Sequence, residues 1–121
     1  MCLYKTHWLP KISMKPIQVY KVFEPIVDGW LITPFQKYSC DVGETIKAKH
    51  SWLKGIFKYE IGGEGIHAFK DKGSAEEFIC AHYYLNTEML IHLCEIPPLT
   101  PYWIGDRGDI AASKMIIKEK L

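Results

Sequence analysis

The sequence predicts a single α+β domain in which a mainly antiparallel, strongly bent sheet carries one principal helix. Three observations predict it. Phe57, Tyr59 and Ile61 alternate with Lys58 and Glu60, the period of a strand with one buried face. Gly62, Gly63 and Gly65 supply the positive φ values that a reversal into a second short strand, Gly65–Phe69, demands. Ser74, with Glu77 three residues on, makes a capping box, and Ala75, Phe78, Ile79 and His82 line one side of a helix over residues 74–85.

The other elements follow in chain order. Residues 1–15 form an extended arm, because Trp8-Leu9-Pro10 and Met14-Lys15-Pro16 break any helix, and Trp8 anchors it. Residues 16–121 are the domain. Ile17–Phe23, rich in β-branched and aromatic residues, is its first strand and ends at Glu24-Pro25. Pro25–Phe35 is a hairpin arm or a loop. Gln36–Cys40 and Glu44–Lys49 flank a short turn at Asp41-Val42-Gly43, and His50–Gly55 links onward with Trp52 and Leu53 as core plugs. After the helix, Asn86-Thr87 supplies the stop. Met89–Ile96 is apolar on both faces, the mark of a central strand. Pro97-Pro98 and Thr100-Pro101 end it and hold Tyr102-Trp103-Ile104 extended. Gly105–Asp109 is a turn, and Lys114–Lys120 closes the sheet.

Composition excludes several classes. The chain has 121 residues, 48% hydrophobic and 24% charged, which is globular rather than disordered. Its net charge is +1, so no broad basic field draws it onto nucleic acid or an anionic membrane. No apolar run approaches the length of a membrane span, and the first five residues lack the pattern of a signal peptide, which places the chain in the cytoplasm. Cys2, Cys40, Cys80 and Cys94 include no C-x-x-C pair and read as small core thiols. A zinc site would have to combine Cys80 and His82, or His92 and Cys94, from different elements, and only the second pair shares a strand face; no metal or other cofactor is expected.

Several stretches carry a family resemblance. Ile17–Val22, Thr33-Pro34-Phe35, Val42-Gly43, Gly65–Phe69, Cys94–Pro97, Tyr102–Gly105 and Gly108–Ala112 together resemble a group of small Bacteroidetes and phage proteins with no established activity. That resemblance implies a compact cytosolic domain encoded by a mobile element. The order of elements also looks like that of small ADP-ribosyltransferase-like domains, which implies an NAD cleft between two sheets. Against that pattern, Lys21 stands where an arginine or histidine is expected, His67-Ala68-Phe69 replaces Ser-Thr-Ser, and there is no Glu-x-Glu.

Individual residues then suggest a ligand site. His67, after a glycine turn, would face a pocket as acid, base or donor, or else satisfy a backbone group. Arg107, the chain's single arginine, would clamp a carboxylate or phosphate beside Tyr102 and Trp103, or else be neutralised in solvent by Asp106 and Asp109. Tyr20, Lys21, His67 and Phe69 would line the cleft of an NAD-binding domain. The glycine turn is no phosphate cradle, since a strand follows it and Glu64 repels. Nucleophilic catalysis has no complete set of residues.

Three functions follow. The first is a non-enzymatic binding or accessory protein, acting on a small molecule such as a nucleotide or on a protein partner. The second is a divergent NAD-binding or ADP-ribosyl-transferring domain. The third is a homo-oligomer subunit with Tyr83, Tyr84 and Trp103 exposed at the interface.

Overall fold

The computed structural model describes residues 3–4, 9–25, 31–32, 39–40, 42–48, 60–61, 65–81 and 89–121. Twelve strands and one helix lie among them: β1 (Leu3–Tyr4), β2 (Lys11–Ile12), β3 (Ile17–Pro25), β4 (Leu31–Ile32), β5 (Ser39–Cys40), β6 (Thr45–Lys47), β7 (Glu60–Ile61), β8 (Ile66–Phe69), α1 (Lys72–Ala81), β9 (Leu90–Ile96), β10 (Pro101–Ile104), β11 (Asp109–Ala112) and β12 (Lys114–Lys120). All pairings are antiparallel, and the main sheet runs β2-β10-β11-β8-β3-β9-β12-β6. β1 and β7 form a separate ribbon. The expected antiparallel sheet with one helix is present. Among the described residues there is a single ten-residue helix, so their balance lies further towards strand than an α+β class implies, that of a mainly β domain.

The nine-residue strand β3 is the spine. Along one edge it pairs with β9 from Ile17↔Ile96 to Phe23↔Leu90. Along the other it meets β8 at Tyr20 and then β4 at Glu24 and Pro25, so the sheet forks there. A second source of curvature is β12, whose register against β9 slips between Ile117 and Glu119. The extra residue is a bulge, which bends the strand. Lys118, at that bulge, lies 3.7 Å from the Glu95 carboxylate.

Side chains alternate across this sheet, so the two faces have separate contents. One face holds the main core: Val19 and Phe23 from β3, Ile66 and Ala68 from β8, Cys94 and Ile96 from β9, Ile110 and Ala112 from β11, and Met115 and Ile117 from β12. The opposite face carries α1, where Ala75 and Phe78 pack on Val22 and Phe69, with Tyr20, Ile79 and Ile91 around them. The Phe69 and Phe78 rings lie 5.4 Å apart in a tilted arrangement. Ala75, Phe78 and Ile79 thus form the expected apolar stripe of the helix.

The start of α1 corrects the capping box. The helix begins at Lys72, and the cap is Asp71, whose Oδ1 accepts from the Ser74 N–H at 2.7 Å. Ser74 therefore stands at the third helical position as donor, rather than before the helix as acceptor. These hydrogen bonds to Ser74 hold the Asp71 carboxyl below its usual 3.8. The β10–β11 hairpin loop abuts this point: the Gly108 carbonyl accepts from Lys70 N–H at 2.8 Å. A Cβ on Gly108, at φ +80°, would lie 3.1 Å from Ser74 Oγ.

Strand expectations at Ile17–Phe23, Gly65–Phe69, Met89–Ile96 and Lys114–Lys120 correspond to β3, β8, β9 and β12, and Glu44–Lys49 shortens to β6. β9 is interior, between β3 and β12, as its two apolar faces required. The glycines at 62–63, the Gln36–Tyr38 and His50–Gly55 segments, Trp8, Trp30, Trp52, His82–Leu85 and the Asn86-Thr87 stop lie outside the described residues. Cys94 is buried as expected, Cys80 is exposed, and both are thiols rather than half-cystines. No described helix is long and apolar enough to cross a membrane.

Candidate functional site

The seven residues singled out for a ligand cleft do not share one surface. Tyr20 and Lys21 are neighbours on β3, so they point to opposite faces of the sheet. Lys21 enters the core face. It is buried, its Nζ donates to the His67 carbonyl at 2.6 Å, and it sits 5.7 Å from the centre of the Phe23 ring. His92, its cross-strand partner on β9, meets the same ring edge-on at 5.2 Å. A buried ammonium is tolerated only with such electron-rich neighbours, and here a carbonyl and an aromatic face supply them.

Tyr20, His67, Phe69 and Trp103 lie on the helix side. Phe69 is committed to Phe78, and His67 is buried in a cross-strand row that runs Trp103, Ala111, His67. Trp103 is fully buried in mid-strand, which corrects its expected role as an exposed interface residue. Tyr102 is half-buried against the main core. Arg107 stands exposed in the hairpin loop. The structure thus joins the His67 and Trp103 side chains in one row on the face opposite the Lys21 side chain, which reaches only the His67 backbone carbonyl.

At the end of that hairpin Asp109 is buried, and its Oδ1 has no hydrogen-bond partner among the described residues. Burial raises its carboxyl above the usual 3.8, against the backbone N–H groups of Asp109 and Arg107, which lower it. Among the described residues, no three His, Cys, Asp or Glu side chains converge on a metal-sized site.

A different locus has the character of a binding surface, and it lies where the arm joins the sheet. Ser13 is buried, although both of its neighbours are exposed. Its N–H donates to the Thr100 carbonyl at 3.1 Å and its carbonyl accepts from Leu99 N–H at 2.7 Å. Its hydroxyl donates to the Pro97 carbonyl at 2.7 Å and accepts from Thr100 N–H at 2.9 Å. A four-residue turn ordinarily joins its first carbonyl to its fourth N–H. In Pro97-Pro98-Leu99-Thr100 the Ser13 hydroxyl is inserted between those two groups, so a serine from the arm completes the turn. Leu99 at the third position has φ 61°. That conformation suits glycine or asparagine and costs leucine about 1–2 kcal/mol.

The segment that carries Ser13 and the turn it closes hold large apolar side chains in solvent: Leu9 at 66% exposure, Ile12 at 48%, Met14 at 79% and Leu99 at 72%. β2 is the terminal strand of the sheet, paired to β10 through Ile12↔Pro101 and Lys11↔Tyr102. Lys11 and Lys15, both exposed, flank the apolar residues. Sequence reasoning placed an extended arm here and missed the site. The available signal was the alternation of Lys11, Ser13 and Lys15 with Ile12 and Met14, a short strand pattern with lysines at its ends.

Comparison with family models, with curated proteins and with solved structures finds no match to this chain.

Proposed function

We propose that this protein is a non-catalytic binding domain, a cytosolic accessory protein that docks a protein partner along the β2–β10 edge. One observation carries this: four large apolar side chains are held in solvent on the segment and the turn that a buried serine clamps together, one of them on a strained backbone. Scattered surface leucines are ordinary, but apolar groups gathered at a sheet edge mark interaction sites. A leucine kept at positive φ with most of its side chain in water gains nothing for the fold, and a binding role accounts for it. The edge is also rigid before any partner arrives, since the clamp fixes the turn and the strand together. Rigidity of that kind lowers the ordering cost of association.

A random-peptide display library panned against the wild-type protein and against the Ile12→Asp/Met14→Asp double variant tests the proposal. Both positions are exposed, so the variant keeps its fold, which its melting temperature verifies. Peptides enriched by wild type and not by the variant are expected. Enrichment of one common set by both proteins, or of none by either, would refute a docking edge.

A further inference from the structure

Resting on that docking edge, the structure points to its occupant: we infer that it is an extended apolar segment of another protein, flanked by carboxylates, rather than a second copy of this chain. The first ground is backbone direction. Ser13 turns its N–H and carbonyl inward to Leu99 and Thr100. Backbone groups alternate along a strand, so Ile12, the residue before it, turns its N–H and carbonyl outward from the sheet. Those groups, with the Ile12 side chain half exposed between Leu9 and Met14, accept an added antiparallel strand.

Charge supplies the second ground. Residues 9–16 and 97–102, which build this corner, contain Lys11 and Lys15 and no Asp or Glu. A partner strand seated here therefore meets a cation at each end of an apolar centre, and carboxylates on its own flanks complement it. The same charges work against self-pairing. Extended pairing at this edge centres on Ile12, since the chain bends at Met14 and Lys15. Two copies joined antiparallel with Ile12 opposite Ile12 would make the two Lys11 side chains diagonal neighbours, within reach of one another. That register brings like charges together, which is the usual means by which an edge strand is kept from pairing with itself.

Fluorescein-labelled synthetic peptides test this directly: a six-residue valine and threonine core ended on both sides by glutamate, by lysine or by serine. Fluorescence anisotropy should show the glutamate-ended peptide binding about tenfold more tightly than the lysine-ended one, a difference that shrinks in high salt. Lys11→Glu/Lys15→Glu should invert the order. Ile12→Pro should abolish binding while leaving the melting temperature nearly unchanged, because it removes only an outward N–H at an edge. Equal affinity for all three peptides, lost in Ile12→Asp/Met14→Asp, would overturn the charge inference and leave the docking edge standing. Affinity unchanged in that double variant would overturn the edge itself. A dimer in sedimentation velocity that the double variant dissolves would make a second copy the occupant and overturn the inference. Absence of binding by every peptide to millimolar concentration would overturn it too.

Discussion

Replacing Ser13 by alanine should cost this domain far more than an arm residue ordinarily would. The hydroxyl occupies both ends of the Pro97–Thr100 turn, at 2.7 Å from the Pro97 carbonyl and 2.9 Å from the Thr100 nitrogen. Thr100 is fully buried, so water does not replace the lost partner of its N–H. Leaving a buried donor unsatisfied costs about 1–3 kcal/mol, and the orphaned Pro97 carbonyl adds to this, giving about 2–3 kcal/mol in all. For 121 residues the unfolding entropy is roughly 0.25 kcal/mol per kelvin, so the melting temperature should fall by about 8–12 °C. Differential scanning calorimetry measures that fall, and native-state hydrogen exchange locates it. The Leu99 and Thr100 amides should lose protection while those of β3 and β9 keep theirs. A fall below about 3 °C, or protection lost evenly across the sheet, would refute the serine clamp as the joint between arm and turn.

Two further perturbations separate conformational from electrostatic effects. Leu99→Gly should stabilise the protein by about 0.5–1 kcal/mol in urea unfolding, because relief of the positive φ exceeds the entropy glycine adds to the unfolded chain, whereas Leu99→Val should destabilise it. The pH dependence of stability should carry two opposite contributions. Asp109 has a raised carboxyl in the folded state, so its contribution is complete below pH 3.8 and is lost as pH rises through the folded value; Asp109→Asn removes that falling limb. Asp71 has a lowered carboxyl, so its contribution is present above pH 3.8 and is lost as pH falls through the folded value; Asp71→Ala removes it. Urea midpoints of the three proteins across this range check both signs, and parallel curves would contradict them.

The strands were legible wherever alternation ran for several residues. Ile17–Phe23 and Met89–Ile96 declared themselves by β-branched and apolar patterning, and they became the longest pairing in the sheet. β11 was not legible, because Ile110-Ala111-Ala112 presents small residues with no polar alternation; four buried positions between two other strands need no polar face. The helix start was misplaced by two residues and its cap by three. Ser74 and Glu77 satisfied the pattern of a cap, but Asp71 satisfied it first, and Gly73 inside the first turn disguised the helix there. At the candidate site, the adjacency of Tyr20 and Lys21 already committed them to opposite faces. That Lys21 is the one turned inward depended on the His67 carbonyl and the Phe23 ring, which are contacts between strands and not properties of a segment. Ser13 escaped notice for a related reason: its function is defined by Pro97 and Thr100, far along the chain.

The order of strands in the sheet has a bearing on how the domain comes into being. Hydrogen-bonded neighbours are remote in the chain almost everywhere: β2 pairs with β10, β3 with β9 and β6 with β12. The local exceptions in this sheet are the β10–β11 hairpin and the short β3–β4 and β4–β5 pairings. As the polypeptide is made from its amino end, β2, β3 and β6 are finished while the strands that will flank them do not yet exist. Their edges must stay uncommitted until Leu90 and then Lys114 have been added, and topologies dominated by such distant pairings assemble slowly. The like charges at Lys11 act during this interval as well, opposing the pairing of an unfinished edge with the same segment of a neighbouring nascent chain before its own partner strand has been synthesised.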